Sequence, residues 1–243
     1  MPADKILAVP GNHDKLLRTN LDVYHQEFTD KLGIPRVDPG GSHVVTKMIG
    51  KREFVFILID ASVYASEELV VDFHSRDHLA KGLLSRKLRD ELHAKLTSLK
   101  KEGHADGVKL TSPYDQTIKV VLVHYAVDIS RLTDHPLWVE KLLPHDCKGL
   151  DDALEQFRVE FQINMALHGH LHIPGLYNHK GVQVVAASTT TEQNGPNGFF
   201  IVKILDSGEI RGEHHRWTGS RFTNDPDTTL NKQLVLFPQG VAA

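Results

Sequence analysis

The stretch Ile163-Asn164-Met165-Ala166-Leu167-His168-Gly169-His170-Leu171-His172 starts as a short apolar run and ends in a glycine set among three imidazoles. A run of this length bounded by polar residues predicts a buried strand over 163–167 that stops at His168. Beyond it lies a loop, and in an extended segment His170 and His172, two apart, point to the same side. Two other apolar runs end in the same way. Ile6-Leu7-Ala8-Val9 feeds Pro10-Gly11-Asn12-His13-Asp14, and Val120-Val121-Leu122-Val123 feeds His124. Ligands of open α/β sheets gather beyond the carboxyl ends of the strands. Three polar tips far apart in sequence are therefore expected to meet at one end of one sheet.

The intervening residues supply the other layers. Leu21, Tyr24, Phe28 and Leu32 recur at helical spacing up to Gly33 and Pro35. Val44–Ile49 and 53–60 read as a hairpin across Gly50-Lys51, its second strand apolar throughout. Leu84, Leu88, Leu92, Leu96 and Leu99 mark an amphipathic helix stopped by Gly103. A further helix is expected at Leu150, Leu154, Phe157 and Phe161. Strands follow over 182–187, 199–205 and 210–217, the last two joined at Asp206-Ser207-Gly208-Glu209. Residues 104–117 and 126–149 read as long loops, the second either lining a pocket beside His124 or forming plain surface. Early strands alternate with helices and late strands run as a meander, which predicts an α/β layered domain with a mixed sheet. One domain is expected over 1–218, followed by a tail over 219–243 that docks back or frays.

Composition narrows the function classes. In 243 residues, 40% are hydrophobic and 24% charged, so a sizeable core is available and wholesale disorder is excluded. A formal net charge of -3 leaves no basic footprint for long nucleic acids. No apolar run reaches the roughly 18 residues of a membrane span. The first residues lack a signal-peptide core, so a cytoplasmic product is expected. The single cysteine, Cys147, excludes a zinc site built on paired thiolates, whereas sixteen histidines favour a nitrogen- and oxygen-ligated metal.

Each tip alone has an ordinary reading: a turn at Gly11-Asn12, a hydrogen-bonded structural His124, a solvated loop at 169–172. Together, in order, Gly11-Asn12-His13-Asp14, the strand-end His124 and Gly169-His170-Leu171-His172 resemble the G-N-H-[DE], lone H and G-H-x-H motifs of the calcineurin-like metallophosphoesterase family. Leu58-Ile59-Asp60-Ala61-Ser62 is similar to a strand-end segment of that family, and 199–217 to its closing strands. The resemblance implies a layered α/β/β/α sandwich with mixed sheets. It implies hydrolysis of a phosphate mono- or diester by metal-bound hydroxide, using two divalent ions (Mn, Fe or Zn). Asn12, His124 and His170 would ligate the second metal and His172 the first. His13 would act as general acid on the leaving oxygen, its ring oriented by Asp14. The substrate would be a phosphate-ester small molecule or a phosphoprotein.

The family's two earlier motifs, D-x-H and G-D-x-x-D, do not precede Gly11, and the dipeptide Gly-Asp occurs nowhere in the chain. They supply the remaining ligands of the first metal and the carboxylate bridging the pair. The domain is thus expected to be incomplete at its N-terminal side, its first strands missing or supplied by another segment or chain, and to have little activity by itself. A non-catalytic scaffold is the alternative. Asp72-Phe73-His74 matches D-x-H out of order and reads as coincidence. Tyr125 reads as minor variation and His168 as structural. His214 and His215 should face opposite ways, and His74, His78, His93 and His104 should be solvated.

Overall fold

The structure, a computed structural model, describes residues 6–11, 24–38, 40–61, 82–128, 130, 132, 136–187, 197–205, 209–224 and 234–235. Strand β1 (Ser42–Ile49) returns through Gly50-Lys51 into β2 (Arg52–Ile59), with Ile49 opposite Arg52. Gly50 takes φ +62°, the left-handed conformation that a two-residue connection demands. Helix α1 (Arg86–Glu102) starts where the Ser85 side chain accepts the Leu88 N–H, and stops at Gly103 with φ 74°. A small hairpin, β3 (His104–Ala105) and β4 (Val108–Lys109), leads to β5 (Ile118–Val123), and α2 (Pro136–Phe161) leads to β6 (Met165–His168). Then come β7 (Gly175–His179), β8 (Val182–Ala186), β9 (Gly198–Ile204) and β10 (Glu209–Trp217). Last are β11 (Phe222–Asn224) and β12 (Leu234–Val235).

Six strands form a mixed sheet in the order β1-β2-β5-β6-β8-β7. Its inner four are parallel to one another, and antiparallel β1 and β7 close the edges. Alternation sends Val55, Ile57, Val121 and Val123 to one face, where they pack on Leu88, Leu92, Leu96 and Leu99 of α1 and Leu150, Leu154, Phe157 and Phe161 of α2. On the opposite face, Phe54, Ile118, Val120, Met165 and Val185 meet Ile210, Phe200 and Val202 of the second sheet. The fold is therefore layered α/β, with a helical layer, a mixed sheet and a second, antiparallel sheet. Burying one of these leucines contributes about 1.5–3 kcal/mol, which makes the two faces of β5 the densest source of stability.

Two buried ionisable groups pin the amino-terminal ends of the strands. Glu53 is 3% exposed and accepts the N–H groups of Thr111 and Ser112, which ties the 110–117 loop to β2. Lys119 is 1% exposed; its amine donates to Thr117 O at 3.0 Å and lies 4.2 Å above the Tyr114 ring. Burial pulls that amine down to about 8.

Several expectations change. Residues 6–9 form no strand: β2 already has β1 and β5 beside it, so Leu7 and Val9 find apolar partners on the face of the sheet, at Val37, Val45 and Leu58. The segment read as a loop up to 149 is helical from Pro136, because proline at the first helical position has no N–H bond to lose. The early helix winds as a π-type turn over His25–Asp30. Among its described side chains it buries His25 and Thr29 and leaves Leu32 36% exposed. Within the tail, β11 and β12 both pair with β10. Leu92→Ala, at the centre of the helical layer, should lower the unfolding free energy by about 2–5 kcal/mol in urea titrations. Val159→Ala, where the side chain is 69% exposed, should change it by less than about 0.5 kcal/mol.

Candidate functional site

Parallel β2, β5 and β6 end level with one another, Ile59 opposite Val123 and Leu122 opposite Leu167. One residue later the chains diverge from the ladder, at Asp60, His124 and Gly169. Asp60 is buried, and its carboxylate accepts the Gly40 N–H at 3.2 Å. Gly169 keeps one further sheet-like bond, donating its N–H to His124 O at 3.0 Å. That bond brings the turn after β6 beside the loop after β5.

The imidazoles of that turn are aimed by an unusual backbone. His170 has φ 72° and His172 φ 58°, so the segment is not extended and simple alternation does not describe it. Each left-handed non-glycine residue costs about 1–2 kcal/mol. Buried Leu171 between them packs with Ala126, Leu132 and Ile173, and its N–H donates to Gly169 O at 2.9 Å. Apolar burial thus holds a turn that its own dihedrals disfavour. Its result is that His170 Nδ1 lies 3.3 Å from His124 Nε2, the two rings edge to face.

Gly11 reaches the same place from the other end of the chain. A Cβ there would stand 2.7 Å from His124 Cε1 and 2.9 Å from Nδ1, so only glycine lets this backbone lie on the ring. All three tips therefore converge. Asn12, His13 and Asp14 lie outside the described residues, as does the Asp72-Phe73-His74 string. The ring of Tyr125 is 5.1 Å from each of the rings of His124 and His170, and the Gly82 backbone lies so close to it that a Cβ there would stand 2.4 Å from the ring. A residue that sequence reading treats as incidental is a wall of the cluster. Its only sequence signal is adjacency to His124.

His168 sits beneath the turn, buried, with Nδ1 3.0 Å from Gly169 O and Nε2 3.1 Å from the Tyr177 hydroxyl. Burial pulls its imidazole down to about 4, so at neutral pH the ring is uncharged. The carbonyl can only accept, so Nδ1 carries the proton and Nε2 accepts from Tyr177. Strand β7, which carries Tyr177, was not foreseen, because Gly-Leu-Tyr-Asn-His lacks both an apolar run and β-branched residues. Of the remaining histidines, His93 and His104 pair with Glu160 and Glu102 at the surface, while His214 is buried and His215 stacks on Phe199.

Two imidazole nitrogens sharing one tetrahedral ion at about 2.1 Å stand about 3.4 Å apart, and the His124–His170 pair at 3.3 Å fits two such positions. His172 does not join that pair: among the described residues no group of three or more His, Cys, Asp or Glu is placed to hold a metal. A third donor to the pair would have to come from outside them, where Asn12 follows Gly11.

No protein-family model matches the chain, and no curated protein matches it. Solved structures do. A putative 5'-nucleotidase from Staphylococcus aureus aligns over 94% of this chain and 37% of its own, at 14% identity and a TM-score of 0.41. Vacuolar protein sorting 29 from Cryptosporidium parvum aligns over 34% of this chain and 44% of its own, at 18% identity and a TM-score of 0.26. A predicted phosphoesterase from Streptococcus pneumoniae aligns over 55% of this chain and 90% of its own, at 12% identity and a TM-score of 0.24. The chain thus spans less than half the length of the first two. Among the described residues no helix is long and apolar enough to cross a membrane.

Two consequences are measurable. Gly11→Ala should displace the loop or the His124 ring, lower stability by about 1–3 kcal/mol and shift the ring resonances of both His124 and His170. His168 binds its proton less readily folded than unfolded, so its contribution to stability is complete above about pH 6.5 and falls away as pH drops towards 4. The acid loss attributable to it is on the order of 3 kcal/mol, and in His168→Gln that part of the pH–stability curve should flatten.

Proposed function

We propose that the convergence of Gly11, His124 and His170 is the second-metal half of a phosphoesterase site, and that the chain serves metal-dependent hydrolysis of a phosphate mono- or diester. The observation carrying this reading is the contact between His124 Nε2 and His170 Nδ1 at 3.3 Å, with the Gly11 backbone against the same ring. His124 and His170 would hold the ion, with Asn12 as the third donor and His172 directed to the neighbouring position. Neutral imidazoles and an amide oxygen suit Mn, Fe or Zn. A bound divalent ion supplies charge to polarise the phosphate oxygens and to activate water.

The chain's own residues do the rest. Beyond Gly11, His13 would give its proton to the leaving oxygen, and Asp14 would hold that ring in the donating orientation. Tyr125 walls the two imidazoles on their inner side and keeps them in register.

Titration with Mn(II) by calorimetry tests the site directly. His124→Ala and His170→Ala should each weaken binding at least tenfold, with the folded state retained by circular dichroism. Affinity unchanged in both variants would sink the metal assignment. With bis-p-nitrophenyl phosphate or p-nitrophenyl phosphate, any Mn-dependent turnover should fall about 10²–10⁴-fold in His13→Ala. Tight metal binding with no turnover on either ester would instead favour the non-catalytic scaffold.

A further inference from the structure

The last residue of the edge strand β7, His179, is 8% exposed and lies between two carboxylates from distant parts of the chain. Its Nδ1 is 3.0 Å from Asp128 Oδ2, and its Nε2 is bonded to Asp151 Oδ1. Asp128 belongs to the loop that leaves the site, four residues beyond His124. Asp151 belongs to α2. The stretch bracketed by these two carboxylates includes the first half of that helix. Neither carboxylate is otherwise idle: Asp128 Oδ1 accepts from Ser130 N at 3.1 Å and from its hydroxyl at 2.6 Å, and Asp151 Oδ2 accepts from Lys180 Nζ at 3.0 Å.

Carboxylates accept and do not donate, so an imidazole bonded to one through each nitrogen must carry a proton on both. The groups facing it keep that charge balanced. Asp128 faces it from the β5 loop, Asp151 from α2, and Lys180 from the turn after β7. Glu155 takes the other bond of Lys180 at 2.8 Å. The Tyr177 hydroxyl, on the same strand, is directed to His168 and the Asp128 carbonyl.

We propose that His179 is a positioning residue: as an imidazolium it clasps Asp128 to Asp151, and so fixes the middle of α2 against the loop that carries His124. The clasp is complete only while the ring holds both protons and the two carboxylates hold none. It opens on the acid side as Asp151 takes up a proton. Burial pushes the Asp151 carboxyl up, but hydrogen bonds from His179 and Lys180 outweigh it and leave the group below its ordinary value. The acid limit contributed by Asp151 therefore lies below the usual carboxylate range. For substrate, the consequence rests on the phosphoesterase reading: a loosened clasp moves the wall beside the site, not the metal ligands.

Hydrogen exchange read by mass spectrometry over residues 136–150, corrected for intrinsic rates, tests the clasp without any substrate. At pH 7, His179→Gln should raise exchange there at least tenfold over the wild-type chain, while β5 and β6 stay protected. Asp128→Ala, which removes one of the two carboxylates from the ring, should raise it at least fivefold. Exchange unchanged in either variant would overturn the proposal. The two readings fail separately: unaltered Mn(II) affinity in His170→Ala removes the phosphoesterase site and leaves the exchange result standing. Where turnover is measurable, His179→Gln should raise KM about tenfold and leave kcat within about twofold.

Discussion

Strand β5 is apolar on both faces, and that single constraint organises the molecule. Side chains at 121 and 123 require a helical layer, and those at 118 and 120 require a second sheet. A strand covered twice can sit only inside a sheet, so β2 and β6 take its two edges in parallel and every ladder group is satisfied. Parallel neighbours end together. The polar residues that follow them are delivered to one edge of the sheet whatever their distance in sequence.

What the scaffold delivers there is held at some cost. His170 and His172 occupy backbone conformations that only a well-anchored turn tolerates. The anchors are apolar and neutral: Leu171 in its own small cluster, and uncharged His168 donating to the carbonyl of Gly169. Keeping His168 neutral matters, since a second positive charge beneath the turn would compete with any cation bound above it. His179 lies elsewhere, with two carboxylates facing its ring and Lys180 bonded to one of them.

Long, strongly patterned elements were legible. The leucine spacing of α1 and its Gly103 stop can be read directly, and so can the β1–β2 hairpin, because period and punctuation are local properties. Elements decided by neighbours were not. The run at 6–9 looks like a strand, yet lies on a face because the edges of β2 are filled. β7 looks like a loop, yet pairs because β8 offers it an edge. The stretch up to 149 looks like a loop, yet is helical from Pro136. At the site, residue types and their order marked His124 and His170 as candidates and His168 as structural, while Tyr125, Tyr177 and His179 gave no signal, because their contacts depend on which side chain stands opposite.

By itself, then, the sequence determined the layered α/β class and the candidate chemistry, since apolar periodicity and the spacing of glycine, asparagine and histidine are properties of the chain. It also determined that the strands before His124 and Gly169 would end in polar tips. Tertiary structure alone decided that two imidazoles stand 3.3 Å apart while His172 lies outside that group. It also decided that one buried histidine is neutral and that another is held between carboxylates. Those outcomes depend on distances between residues far apart in sequence and on the water excluded around them, and neither is written in local order.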